Sequence, residues 1–188
     1  MNCILYMHSG SKNHGCEALV RSTLKILRKP AAVLYSDRPE EDAEYGVDQI
    51  AEVRANGRKM WKYEPYHFLA AFAKRAFGNA DLDCAKVFRN LLRDASGRLL
   101  AFSIGGDNYC YPFSSVILAS LNRSLNRRGG KTVLWGCSIE PELLENPKIL
   151  QDLNRYALIT ARESITYNAL LKAGVSKNTK LYPDPAFA

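Results

Sequence analysis

Short apolar runs alternate with helix-length amphipathic segments along almost the whole chain, and that alternation leaves few folds open. Strand-like runs occupy about residues 2–7, 31–35, 99–104, 132–137, 157–161 and 179–182. Between them the apolar residues recur at helical spacing. In the first such segment Cys16, Leu19, Val20, Thr23, Leu24 and Leu27 follow the i, i+3, i+4, i+7 rule, and Pro30 ends it. Further helices are predicted over 65–77, 83–95, 113–128, 146–155 and 163–173, the last closed by Gly174. The alternation predicts an α/β fold with a Rossmann-like, mostly parallel sheet and helices on both faces. Right-handed crossovers then bring the strand-to-helix loops to one edge of that sheet. Residues 36–64 are polar and charged, and no period assigns them.

A chain of 188 residues, 47% of them hydrophobic, is one generous domain with enough apolar side chains for a sizeable core. No apolar stretch is long enough to span a membrane. The opening Met1-Asn2-Cys3-Ile4-Leu5-Tyr6-Met7 lacks a basic leader region and reads as a first strand. Cys3, Cys16, Cys84, Cys110 and Cys137 are odd in number, scattered and free of any C-x-x-C pair. That argues against a zinc site or disulfide framework and for a reducing, cytoplasmic setting. The net charge of +7 suits anionic substrates, an anionic membrane surface or nucleic acid. The cations are spread, however, and several fall near predicted helix C-termini, where they complement the dipole. With no recognition motif and no concentrated basic stripe, nucleic acid is not an expected partner. The stretch 63–77 is both aromatic and basic; it reads as a helix packed on the sheet or as a contact with an anionic membrane surface.

Glycine and polar residues gather where the strands end. Ser9, Gly10, Asn13, His14 and Gly15 join the first strand to the first helix, with Glu17 in its first turn. Glycines there permit close backbone approach, and amides at a helix start can hold an anion. The block is neither G-x-G-x-x-G nor G-x-x-x-x-G-K-[ST], so it defines no dinucleotide or P-loop site. A turn with a helix cap is the competing explanation. Gly105, Gly106, Asp107 and Asn108 follow the run 99–104. Asp107 at a sheet edge could take a proton from a hydroxyl within hydrogen-bond reach, or simply cap the next helix. Ser138 closes another strand but has no identifiable base. Arg162 offers a planar fork for carboxylate or phosphate, or one half of an internal ion pair, and Glu163 stands at a helix start. Asp184 sits stiffly between Pro183 and Pro185, in a functional loop or a plain turn.

Taken together and in this order, these blocks resemble the polysaccharide pyruvyl transferase family. The likeness rests on Gly10-Ser11-Lys12-Asn13-His14-Gly15-Cys16-Glu17-Ala18, Gly105-Gly106-Asp107-Asn108, Leu134-Trp135-Gly136-Cys137-Ser138-Ile139, Ala161-Arg162-Glu163-Ser164 and Pro183-Asp184-Pro185-Ala186-Phe187. Cys16 departs from the pattern, the family often carrying an Asp beside the Glu. The resemblance implies a two-domain, GT-B-like enzyme of which residues 1–188 form the N-terminal Rossmann-like half, the C-terminal domain being absent from this chain. It implies transfer of a pyruvyl group, as a ketal, from phosphoenolpyruvate to a sugar of a cell-surface polysaccharide or its precursor. No further cofactor and no metal are implied. Asp107 is then the candidate base or an acceptor-binding carboxylate. Ser9, Gly10, Asn13, His14, Glu17, Gly105, Gly106, Asn108, Ser138, Arg162, Glu163 and Asp184 are candidate substrate contacts. The expected partners are phosphoenolpyruvate and a saccharide acceptor, free or lipid-linked, with peripheral membrane contact and self-association as further expectations. The rival reading is a non-catalytic sugar- or anion-binding α/β domain.

Overall fold

The computed structural model describes residues 2–28, 32–57, 65–77, 80–95 and 97–188. Seven strands form one sheet: β1 (Asn2–His8), β2 (Ala32–Ser36), β3 (Glu52–Ala55), β4 (Leu99–Ser103), β5 (Lys131–Cys137), β6 (Leu158–Ala161) and β7 (Thr179–Leu181). Their order is β3-β2-β1-β4-β5-β6-β7, and every pairing is parallel. This is the doubly wound order, in which the chain first winds outward from β1 and then restarts at β4 on its other side. The α/β, Rossmann-like reading of the sequence is what the chain adopts.

Eight α-helices connect the strands among the described residues: α1 (His14–Leu27), α2 (Pro39–Glu44), α3 (Pro65–Phe77), α4 (Asp81–Val87), α5 (Arg89–Asp94), α6 (Pro112–Arg127), α7 (Pro147–Leu153) and α8 (Ser164–Lys172). Alternate side chains of each strand serve opposite cores. Cys3, Leu5, Leu34, Phe102 and Val133 pack with Val20, Leu24 and Leu27 of α1 and with Val47 and Ala51 beyond α2. Ile4, Tyr6, Ala101, Leu134 and Ile159 pack against Leu91 of α5, Leu118 and Leu125 of α6 and Leu153 of α7. Covering both faces in this way is what permits a fully parallel sheet.

The stretch without a period, 36–64, contributes α2 and β3. Helix α2 is six residues long and buries only Asp42, so it carries no apolar stripe. Strand β3 is an edge strand in which Arg54 donates to Glu52 and to Asp94, so charge stands where alternating apolar residues were sought. The helix predicted over 83–95 is two helices, broken at Phe88. The first helix runs to Leu27, the last apolar residue of its period, and closes on Arg28 in the left-handed region (φ 49°); Pro30 lies outside the described residues, as does position 31 of the second strand. The predicted helix over 65–77 is present, but it packs on α4 rather than on the sheet. Tyr66 donates to the Leu82 carbonyl (2.6 Å), and the Lys86 ammonium stands 5.0 Å from its ring centroid.

Two strands carry an extra residue near their C-terminal ends. In β1 the register runs from Leu5 opposite Leu34 to His8 opposite Ser36, with Met7 at φ 63°. In β5 it runs from Leu134 opposite Ile159 to Cys137 opposite Ala161, with Gly136 at φ 62°. A bulge of this kind bends the strand and re-aims the side chains that follow it. A methionine in the left-handed region is uncommon and costs backbone energy, and such residues cluster at ligand sites.

Beneath the β4–β5 edge lies a buried polar network. Tyr109 donates to Asp152, whose other oxygen accepts from Asn122 (2.8 Å), and the Tyr109 and Tyr156 hydroxyls are 3.1 Å apart. Burial pushes the Asp152 carboxyl up and the Tyr109 and Tyr156 hydroxyls well up. The network ties the chain just past Asp107 to α6 and α7.

Candidate active site

The strand order reverses between β1 and β4, and open α/β sheets bind ligands in the crevice that forms there, beyond the carboxyl ends of the strands. A cleft of about 470 Å³ occupies that place. Ser9 and Asn13 reach it from the loop after β1, Asp37 from β2, Asn56 from β3, and Gly105, Gly106, Asp107 and Asn108 from β4. Tyr111, 63% exposed, and Ser114 stand at the start of α6. Hydroxyls, amides and two carboxylates line the cleft together with the apolar Met7, Cys16, Val87 and Phe88 and the exposed Tyr111 ring. No Lys, Arg or His is among its described lining residues. Such a surface is suited to a neutral, hydroxyl-rich ligand more than to an anion.

Arg162, at the end of β6, is the hub beside the cleft. It donates to Asp107 (2.5 Å), to Asp184 (3.2 Å) and, through Nε, to Ser138 Oγ (2.8 Å). Four of the residues singled out in the sequence, from the ends of β4, β5, β6 and β7, are therefore one hydrogen-bonded group. The internal-ion-pair alternative for Arg162 is the one observed. Backbone bonds fix the same loops: Ser138 N–H donates to the Gly106 carbonyl (2.8 Å), and Tyr109 bridges Ile139 in parallel register. Asp107 does not cap α6, whose first turn has no side-chain cap. Its side chain is 57% exposed at the cleft rim, next to the paired guanidinium.

Several other candidates have local structural work. Asn13 caps α1, accepting from Gly15 N–H (3.0 Å) and Cys16 N–H (3.4 Å). Those amides are thereby occupied, which corrects the expectation that they are free to hold an anion. Glu163 caps α8 by accepting from Thr166 N–H (2.8 Å). Burial alone would raise its carboxyl, but the bonds from Thr166 and Ile165 outweigh that and lower it. Asp184 accepts from Ala186 N–H and closes a 3-10 turn. His14 projects into solvent, with Nδ1 3.4 Å from Glu17; Glu17 is bonded to Arg21 (2.8 Å), which holds its carboxyl below the ordinary range. Neither His14 nor Glu17 lines the cleft. Gly10, at φ 117°, is buried against α2, where a Cβ would strike the Glu41 carboxylate. Asn108 donates to Ser103 (2.8 Å) and props the Gly-Gly turn from below.

The glycines of that turn are set by space. A Cβ on Gly106 would collide with the Arg162 guanidinium, and one on Gly105 with the Asn108 amide and, at 2.8 Å, with the Met7 carbonyl. Gly105→Ala is expected to lower stability by about 1–3 kcal/mol, because backbone lies on one side and a buried amide on the other. Urea unfolding of the variant checks this; an unchanged midpoint would show that the turn relaxes without cost.

The loop after β1 is held by a group that sequence reading missed. His8 Nε2 donates to Asp42 Oδ1 (2.7 Å), and Ser11 Oγ donates to the same oxygen (2.5 Å). All three are buried. The trio is not a nucleophilic triad: Ser11 and Asp42 meet the same ring nitrogen, so no proton could pass across the imidazole, and the Ser11 side chain is fully buried. Burial by itself would raise the Asp42 carboxyl, but the His8 and Ser11 bonds outweigh it and hold it below its ordinary value. Asp37 and Asn56 were also missed. Asp37 directly follows a readable strand, which was the available signal; Asn56 follows β3, which gave none.

A larger hollow, about 590 Å³, lies beyond Asp184 and is walled by Ile26, Trp135, Leu158, Tyr182, Pro185 and Phe187. Its described walls are almost wholly apolar, and Asp184 is the one charged side chain among them. The reactive groups are in the other cleft. Among the described residues no set of three or more metal-ligating side chains is gathered, and no disulfide joins any of the five cysteines. No helix among them is long and apolar enough to cross a membrane.

A doubly wound domain with a cleft of mixed polar and apolar lining across its switch point, and a carboxylate at the rim, has the construction of an enzyme or small-ligand-binding domain. Comparison with protein families narrows the class: residues 13–188 match the family described as Polysaccharide pyruvyl transferase, and the chain belongs to that family. No curated protein and no solved structure matches it.

Proposed function

We propose that this chain is the acceptor-binding half of an enzyme that transfers a pyruvyl group from phosphoenolpyruvate to a saccharide. The observation that carries the reading is the cleft at the switch point, which presents Asp107 among hydroxyl and amide groups and holds no described cation. In the proposed reaction a sugar hydroxyl attacks the phosphate-bearing carbon of phosphoenolpyruvate while the methylene carbon gains a proton. Phosphate then leaves, and a second hydroxyl closes the ketal. Asp107 takes the proton of an attacking hydroxyl, and Arg162 orients the carboxylate through its bonds to Asp184 and Ser138. The donor carries a carboxylate and a phosphate and calls for cationic clamps. Arg162 is already engaged by two carboxylates, so the reading assigns those clamps to a second, GT-B-like half facing the cleft. The acceptor is a sugar of a cell-surface polysaccharide or its precursor, handled on the cytoplasmic side.

The test is phosphate release from phosphoenolpyruvate with a panel of sugar acceptors, comparing the 188-residue chain with one that carries a second half after Ala188. The expected result is acceptor-dependent release by the longer chain only, since both walls are needed to hold donor and acceptor in register. Robust turnover by the short chain would reject the division into halves. Saccharide binding with no release by either would favour the non-catalytic sugar-binding reading.

A further inference from the structure

On the β2–β3 side of the cleft stands a carboxylate that the proposed transfer does not use. Asp37 directly follows β2, and its N–H donates to the His8 carbonyl (3.0 Å), which holds it beside the end of β1. Asn56 directly follows β3 and is fixed at both backbone groups. Its N–H donates to the Ser36 carbonyl (2.9 Å), and its carbonyl accepts from Asn90 N–H (3.0 Å). In the side chain, Nδ2 donates to Asp37 Oδ1 (2.9 Å), so the amide oxygen is turned away from the carboxylate. Asn56 is 4% exposed, and that Oδ1 has no hydrogen-bond partner. A buried acceptor left unpaired costs about 1–3 kcal/mol, and this one belongs to a side chain that lines the cleft. Asp37 itself is exposed. Among the described residues no cation pairs with it: Arg38 is engaged by Glu41 (2.6 Å), and Arg54 by Glu52 and Asp94.

We propose that Asp37 and Asn56 grip two neighbouring hydroxyls of the saccharide, away from the hydroxyl whose proton Asp107 takes; this rests on the reading of the cleft as an acceptor site. Strands β2 and β4 lie on either side of β1. That puts the strands carrying the two carboxylates two spacings apart, about 10 Å, and no single hydroxyl meets both. Asp37 accepts from one hydroxyl through the oxygen that Asn56 leaves free. Asn56 Oδ1 accepts from the next, which gives the orphaned oxygen its partner. A carboxylate and an amide oxygen side by side call for donors and oppose an anion. The pair therefore selects an uncharged vicinal diol and rejects a sugar acid at that position. It contributes binding and choice of acceptor, and no proton transfer.

The experiment is saturation-transfer NMR of the intact chain with neutral methyl glycosides, their analogues lacking one hydroxyl each, and the matching methyl glycosiduronates. A neutral glycoside is expected to bind, and removal of either of two adjacent hydroxyls should weaken it by about tenfold or more, because a site built to bond a hydroxyl rejects the analogue without it. The uronate should not compete. Asp37→Ala should weaken the glycoside by about tenfold or more and leave the matching deoxy analogue nearly unchanged, so that the discrimination disappears. A merely structural role would weaken both alike. Asp37 is exposed, so thermal unfolding of the variant should match that of the parent. Unchanged binding by Asp37→Ala, equal loss for glycoside and deoxy analogue, preference for the uronate, or no glycoside binding at all would overturn the proposal. A ribonucleoside carries the same diol, and its binding in place of every glycoside would overturn the assignment to a saccharide. Phosphate release is read separately on the longer chain: release without an effect of Asp37→Ala on binding defeats this proposal alone, and the expected binding without release defeats the transfer reading alone.

Discussion

Asp107→Asn, made in a chain that carries the proposed second half, is expected to lower acceptor-dependent phosphate release by about 10²–10⁴-fold and to leave the unfolding midpoint close to that of the parent. An amide keeps the size of the side chain and can still face Arg162, but it cannot take a hydroxyl proton. Stability should barely change because Asp107 is more than half exposed and an exposed ion pair contributes about 0–1 kcal/mol. Arg162 also retains Asp184 and Ser138. The measurement is steady-state phosphate release at saturating acceptor beside a thermal unfolding curve. Near-normal release would reject the base role and leave Asp107 as a partner of Arg162 alone.

The largest effect on folding is expected at Asp42. Asp42→Ala leaves the buried His8 ring and Ser11 hydroxyl without their shared acceptor, and each orphaned group costs about 1–3 kcal/mol. Equilibrium urea unfolding should register the loss, and a difference below about 1 kcal/mol would mean that the loop finds other partners. The pH dependence has a definite sign. The folded-state value of Asp42 lies below its ordinary 3.8, so its contribution is fully present above that pH and is lost as pH falls through the lower, folded value. The stability gap between the parent and Asp42→Asn should therefore narrow on acidification below about pH 3.8. A gap that widened there would show that the carboxylate is not the form the fold prefers.

Where burial imposed a period, the sequence was readable. Six of the seven strands and the long helices α1 and α6 have one or both faces in a core, and their apolar spacing declares it. Helix α2 and strand β3 are held by charge and edge pairing instead, and they hid inside a polar stretch. The loops at the sheet edge were visible as glycine and polar clusters, but not what their members do. Asn13, Glu163 and Asp184 look the same in sequence whether they cap a helix or touch a ligand; only their bonds to nearby amides distinguish the two. The union of Asp107, Ser138, Arg162 and Asp184 was partly foreseeable, because parallel strands deliver their ends to one edge. The His8–Ser11–Asp42 anchor was not, since it joins a strand that was read to a helix that was not.

The extra residues in β1 and β5 make side-chain parity an acquired property of the site. Up to Leu5, odd positions of β1 face the α1 side; beyond Met7 it is His8, an even position, that meets Asp42 of α2. In β5 Leu134 faces the opposite core, and past Gly136 it is Cys137 that rejoins it, leaving Ser138 turned toward Arg162. Loss of that extra residue would let every ladder bond re-form with His8 and Ser138 still on their present faces, since their partners Ser36 and Ala161 already lie two residues past those of Leu5 and Leu134. What would go is the bend at Met7 or Gly136 that sets the angle at which each strand delivers its loop. A deletion there would leave the sheet whole and the site misaimed.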